Sequence, residues 1–336
     1  MTEVGDLCHI WGNLPLMTGT AFILLTNLAQ VLKCLNIVAR RRTIIKIITD
    51  GSKDLSEEKS IEGRSIIESF NQETRQHQLC FFVITFLTAI GWAGSAEKNK
   101  FPLRAWYPYN ANKSPAYELT YVHQVFSIFT VSILNVSQDT LVTTLIAQCR
   151  CRLRLVGLSL RNSFNDQYFT EESTSDTILL KSDSNPLHFT PDQETKARKH
   201  IKSCAIRHQK ALETVLLLQN TFSEPTFVQF AVTLLIICAT AFQLVTQTSN
   251  FVRLVSMSTY LLDMMFQVFI YCYQGEHLSL ESEEIAEAAY DIPWYSCSVR
   301  TRMSILIVMV RCRRVATLIA CAFTTLSLTT FMAVRS

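Results

Sequence analysis

The side chains that could do chemistry are plentiful here, but none of them stands in a working arrangement. Seven histidines and eleven cysteines are spread along the chain. No histidine stands with a carboxylate or a cysteine in a recognised metal-binding motif. The closest cysteines, Cys149 and Cys151, do not form a CxxC pair. No GxxxxGK[ST], GxSxG or HExxH motif occurs, and "GEHL" (275–278) matches the last only superficially. The chain is therefore read as no enzyme, with no metal and no cofactor. Most cysteines, including Cys34, Cys80, Cys238, Cys272 and Cys321, lie inside apolar runs, where cysteine is a small buried hydrophobe. The chemistry left over is polar groups within apolar sequence. Asp263 sits halfway along one such run and needs a partner, a proton or a polar cavity, with a structural hydrogen bond the favoured reading. Asp139 lies about 20 residues into another run and reads as interfacial. Thr85, Thr88 and Trp92 fall at positions 0, 3 and 7 of a third, on one helical face.

Those apolar runs are long. A hydrocarbon core about 30 Å thick needs roughly 20 apolar residues in a helix, and six segments qualify: 14–39, 79–96, 119–148, 226–248, 251–273 and 315–334. Only 18% of residues are charged and 49% are hydrophobic, against about a quarter charged in soluble proteins. The fold class that follows is all-α: a polytopic integral membrane helical bundle, one transmembrane domain over 1–336 with six visible spans. A net charge of +3 does not argue for nucleic acid. The basic cluster at 196–202 reads as a topogenic patch.

Lysine and arginine in the connections set the orientation. The segment 40–76 carries eight and the segment 150–210 eleven, whereas the connection between the second and third runs holds four. The two basic segments belong in the cytoplasm, together with 274–314. The loop bearing the "NKS" sequon at Asn112 belongs outside. Within 274–314, "LSLESEEIAEAAYD" is rich in helix formers. Leu278, Ile285 and Ala289, at 0, 7 and 11, make one stripe. This helix should stop before Pro293. "MSILIVMV" (303–310) is too short to span and is expected as a helix buried by protein. Two readings of the acidic stretch stay open, a solvated linker and a packed cytoplasmic layer that joins subunits.

Three separated segments carry a resemblance. "FPLRAWYPYNANKSPAYELTYVHQ" (101–124), "KSCAIRHQKALETVLLLQNTFSEPTFVQF" (202–230) and "GEHLSLESEEIAEAAYDIPWY" (275–295) followed by "FTTLSLTTFMAV" (323–334) resemble, in order, parts of the insect odorant receptors. The resemblance covers nearly the whole chain. It implies a seven-helix protein with topology inverted relative to G-protein-coupled receptors. It also implies a subunit of a tetrameric ligand-gated cation channel formed with a shared odorant receptor co-receptor, in the plasma membrane of an olfactory sensory neuron dendrite. The region 274–314 would be the cytoplasmic anchor and the last span would line the pore. The run 14–39, with Lys33 and its arginine tail, resembles the family's second span, and the last helix is expected to continue past "MAVRS". A chain truncated at both ends is therefore expected.

The resemblance places a pocket in the outer half of the bundle, where a small volatile needs apolar and aromatic walls with one or two polar groups. The candidate ligand-binding residues are Phe22, Thr85, Thr88, Trp92, Phe126 and Tyr260; the alternative for each is plain helix packing. Thr325, Thr329 and Met332 are the candidate pore-facing stripe. Expected partners are the co-receptor, a small volatile odorant and membrane lipid. The competing functions are a truncated, non-conducting receptor fragment and a metabotropic receptor linked to a G protein.

Overall fold

The computed structural model describes residues 14–94, 101–102, 106–107, 109, 113–172, 191–246, 251–320, 324–329 and 332. Among the described residues seven helices follow one another: α1 (Leu14–Ala39), α2 (Arg41–Ser56), α3 (Ile61–Gly94), α4 (Ala116–Glu172), α5 (Pro191–Thr246), α6 (Phe251–Tyr290) and α7 (Val299–Cys312). Four are long and apolar enough to cross a membrane, or five if α1 and α2, bent by 70° about Arg40, count as one span. Asn112 lies outside the described residues.

α4 and α6 contain the expected spans 119–148 and 251–273 and run well past them, while α3 and α5 take up 79–94 and 226–246 and begin far before them. At 1.5 Å per residue the 57 residues of α4 extend roughly 85 Å, more than twice a bilayer core. Ser60 starts α3 by accepting the Gly63 N–H on its hydroxyl at 3.0 Å, a side-chain N-cap. At the other end of the fold α6 stops at Tyr290, three residues before Pro293, and a short 3-10 turn (Trp294–Ser296) leads on. Leu278, Ile285 and Ala289 are fully buried on that helix, so the acidic stretch is a packed helix and not a solvated linker.

The main core lies in this half of the bundle, among α4, α5 and α6, around Leu153, Leu160, Cys204, Leu218 and Leu278. Three arginines of α4 organise it. Positions two apart on a helix differ by about 200°, so Arg150 and Arg154 face one way and Arg152 the other. Arg150 donates to Glu73 of α3 at 2.9 Å and to Gln274 of α6 at 2.7 Å. Arg154 pairs with Glu281 and Glu284 of α6. Arg152 turns to Asp54 of α2 and to Thr214 of α5. The basic residues that report orientation are thus also the hub of the core.

Two expectations are corrected. The stretch 315–334 is not a continuous helix. Among its described residues, β1 (Ile319–Ala320) pairs antiparallel with β2 (Thr324–Thr325), and Leu328, Thr329 and Met332 are helical. The segment is rich in threonine, a weak helix former. Leu318 and Leu326 find burial beside α5 and α6, and Gln219 of α5 exchanges hydrogen bonds with both backbone groups of Ile319. Gly275 makes the notch: a Cβ there would collide with the Leu326 carbonyl. Thr325 therefore stands in a strand, outside any helical stripe with Thr329 and Met332, which are themselves helical. The Thr325 side chain is outside the described residues, Thr329 is exposed, and Met332 is 57% exposed.

The second correction concerns α7. Ile305 is buried, but Met303, Leu306, Ile307 and Val310 are each more than half exposed. The single chain leaves this face uncovered because Ile305, Thr301 and Cys312 already occupy its inward stripe.

Candidate functional site

At the end of the bundle opposite the arginine hub, α1, α3, α4 and α6 enclose a cavity of about 190 Å³. Each helix presents one face to it. Thr85, Thr88, Ala89 and Trp92 of α3 stand at 0, 3, 4 and 7, the recurrence of a single stripe. Ser127, Ile128, Val131, Ser132 and Asn135 do the same on α4, and Tyr260, Asp263 and Met264 on α6. α1 contributes Ile23, Thr26 and Asn27. The walls are mainly apolar and aromatic, with polar groups at a few points, which is the composition of a small-molecule pocket.

Trp92 and Tyr260 meet edge to face, ring centroids 6.2 Å apart, a favoured aromatic geometry. Thr85 donates its hydroxyl to Asp263 at 2.7 Å. Thr88 instead donates to the Ile84 carbonyl of its own helix at 2.9 Å, so its methyl group is what it offers the cavity. Of the residues singled out in the sequence, the structure brings Thr85, Thr88, Trp92 and Tyr260 to one space. Phe126 does not join them. It is 70% exposed on α4, because the wall begins one position later, at Ser127. The Phe22 side chain lies outside the described residues.

Below the cavity is a polar network that the sequence reading missed. Asn135 lines the cavity and accepts from Lys33 Nζ at 3.1 Å. Lys33 also pairs with Asp139 at 2.6 Å, both side chains nearly inaccessible. Asp139 accepts from the Tyr271 hydroxyl at 3.0 Å and from Gln267, and Gln229 donates to Gln267 at 3.0 Å. Asp139 is thus enclosed by protein, because the helices around it continue past it. Removing one member of such a pair strands a buried charge, at a cost of about 3–5 kcal/mol. The readable signal was two opposite charges, Lys33 and Asp139, each inside an apolar run.

Comparison with known proteins bears on this arrangement. A model of the family described as 7tm Odorant receptor matches residues 13–336. Odorant receptor 82a of Drosophila melanogaster is 23% identical over 257 residues, 76% of this chain and 60% of that protein. The odorant receptor coreceptor of Anopheles gambiae is 22% identical over 288 residues, 70% of this chain and 60% of its own length. Odorant receptor 22c of Drosophila melanogaster is 28% identical over 136 residues, 40% of this chain and 34% of that relative. The matched stretches thus span between 34% and 60% of these relatives' lengths. The insect olfactory receptor OR5 of Machilis hrabei superposes with a TM-score of 0.80 at 14% identity, covering 99% of this chain and 81% of that one. A second structure of OR5, in complex with eugenol, has the same TM-score and identity. At that identity the likeness is one of fold.

Proposed function

The chain belongs to the seven-helix odorant receptor family, and from that premise we propose that it is an odorant-tuning subunit of a ligand-gated cation channel. The family is one of receptors and not of enzymes, and the fold is that of a multi-pass helical membrane protein. In this reading a small volatile occupies the cavity between α1, α3, α4 and α6. Its higher affinity for the open state shifts the pore equilibrium. The partner is the odorant receptor co-receptor in a hetero-tetramer, and the site of action is the plasma membrane of an olfactory sensory dendrite. The family relation to coreceptors and the odorant held by the Machilis hrabei receptor both support it.

The cavity itself is the observation that carries the proposal. It holds about 190 Å³, and an apolar cavity of about 150 Å³ accommodates benzene, so a one-ring or short-chain volatile fits. The topology drawn from lysine and arginine puts this end of the bundle outside, where an odorant arrives. A metabotropic reading has less support, because Arg150 and Arg152, which could have met a cytoplasmic partner, are buried in ion pairs.

The test is current recording from cells that express the chain with a co-receptor, challenged with a panel of volatiles. The expected outcome is an inward cation current that survives blockade of G proteins. Trp92→Ala should raise the half-maximal concentration of any activating volatile by about tenfold or more, the usual scale for a buried aromatic anchor. A current abolished by G-protein blockade would favour the metabotropic reading. Co-assembly at the cell surface without current to any volatile would favour a non-conducting partner.

A further inference from the structure

We infer that the cavity selects a small amine, bound as the ammonium ion to Asp263. The inference deepens the receptor reading and rests on the cavity being its ligand site. It starts from a charge imbalance. Two aspartates, Asp139 and Asp263, are buried among the membrane helices, each 3% exposed or less. Lys33 is buried with them, and its ammonium group is engaged by Asp139 at 2.6 Å and Asn135 at 3.1 Å. Asp263 is left with the Thr85 hydroxyl, which reaches only Oδ1. Among the described residues no lysine, arginine or histidine pairs with it.

A buried acid that lines a cavity, without a cation of its own, has a chemical complement. An ammonium group supplies the missing charge and can donate to the carboxyl oxygen that Thr85 leaves open, through a charge-assisted hydrogen bond. The surroundings suit the rest of such a ligand. Trp92 and Tyr260 line the same cavity, and aromatic faces attract cations. Met264, Ile128 and Val131 cover an apolar ring or chain. A neutral alcohol could donate to the same oxygen but would bring no compensating charge. Among molecules of equal size, the amine is the one the site distinguishes.

Three one-ring volatiles test this, the isosteric pair benzylamine and benzyl alcohol and the slightly smaller toluene, applied to cells expressing the chain with a co-receptor. The wild type should respond to benzylamine at a concentration about tenfold or more below that for benzyl alcohol, the scale of a hydrogen bond to a charged group. Asp263→Asn should remove that preference, bringing the half-maximal concentrations for benzylamine and benzyl alcohol within about threefold of each other. Asp263→Glu, which keeps the charge, should retain it. If D263N is held inside the cell, the wild-type order of the three compounds and its retention in D263E decide the matter. Responses to benzyl alcohol and toluene without preference for the amine overturn the inference and leave the receptor reading intact. Equal weakening of all three by D263N makes Asp263 a packing residue and overturns it as well. Silence to these and to a broad panel, with the complex at the cell surface, sinks the receptor reading and this inference with it.

Discussion

Burial decides what single side chains do in this fold, and His208 shows it outside the membrane. It sits on α5, 5% exposed, and its Nε2 has no hydrogen-bond partner among the described residues. Burial, together with the Arg311 charge beside it, pushes the imidazole down from 6.5 to about 4. The folded value is the lower one, so between these limits the unfolded chain binds more protons. The stabilisation from a neutral His208 is complete above pH 6.5 and is lost as pH falls toward 4. Between pH 6.5 and 5 the loss should be roughly 2 kcal/mol. Melting curves of the detergent-solubilised protein should fall more steeply over that interval for wild type than for His208→Leu; parallel curves would remove the argument. At this scale the sequence was partly readable. That Thr85, Thr88 and Trp92 share a face follows from helix periodicity alone. The phase of α4 does not, because a membrane helix is apolar toward lipid and toward protein alike, so Phe126 and Ser127 could not be ordered by hydrophobicity.

The helices show a second kind of dependence, in which one element repairs another. Pro225 lies inside α5 and has no N–H, so the carbonyl four residues back, at Thr221, loses its helical donor. Asn36 of α1 fills the gap, its Nδ2 donating to Thr221 O at 3.1 Å. Arg40 donates to the neighbouring carbonyl of Asn220. α1 is thus fastened to α5 at the point where α5 is weakest. Asn36→Ala should cost about 1 kcal/mol in thermal stability, the net worth of one hydrogen bond. In a Pro225→Ala background, where the backbone donor returns, the same substitution should cost a few tenths. Equal losses in both backgrounds would show that Asn36 does not serve the break. The positions of these helices were legible as apolar runs, but their lengths were not. Apolarity reports where lipid is, and α3, α4 and α6 continue as amphipathic or charged helices beyond it. The hairpin at 319–325 escaped for the opposite reason: an apolar run long enough to span is equally able to fold against a groove.

For the whole molecule, the two ends of the bundle differ, and the end that holds the arginine hub leaves an apolar face uncovered in a single chain. The arginine hub, the acidic part of α6 and the start of α7 form one tightly bonded unit. Glu194 of α5 accepts the Ser298 N–H at 2.6 Å and the Thr301 hydroxyl at 2.9 Å, which fixes where α7 begins. That rigid mounting presents Met303, Leu306, Ile307 and Val310 outward as a continuous apolar face, next to an open cavity bordered by Tyr290 and Trp294. Contiguous exposed apolar surface marks an interaction site. In the proposed channel the occupant is the matching region of a neighbouring subunit. The double substitution Leu306→Glu and Val310→Glu removes apolar contact without touching Ile305 or the Glu194 cap. The variant should therefore keep the melting temperature of the isolated chain within about 2 °C, as surface substitutions do. Co-purification with the co-receptor should fall at least about tenfold, since two desolvated carboxylates at an apolar contact exceed the roughly 1.4 kcal/mol that factor requires. Unchanged co-purification would mean that α7 faces lipid or solvent in the assembly and that the subunits meet elsewhere. A drop in melting temperature alongside the lost partner would mean that α7 packs within its own chain more than the exposed face suggests.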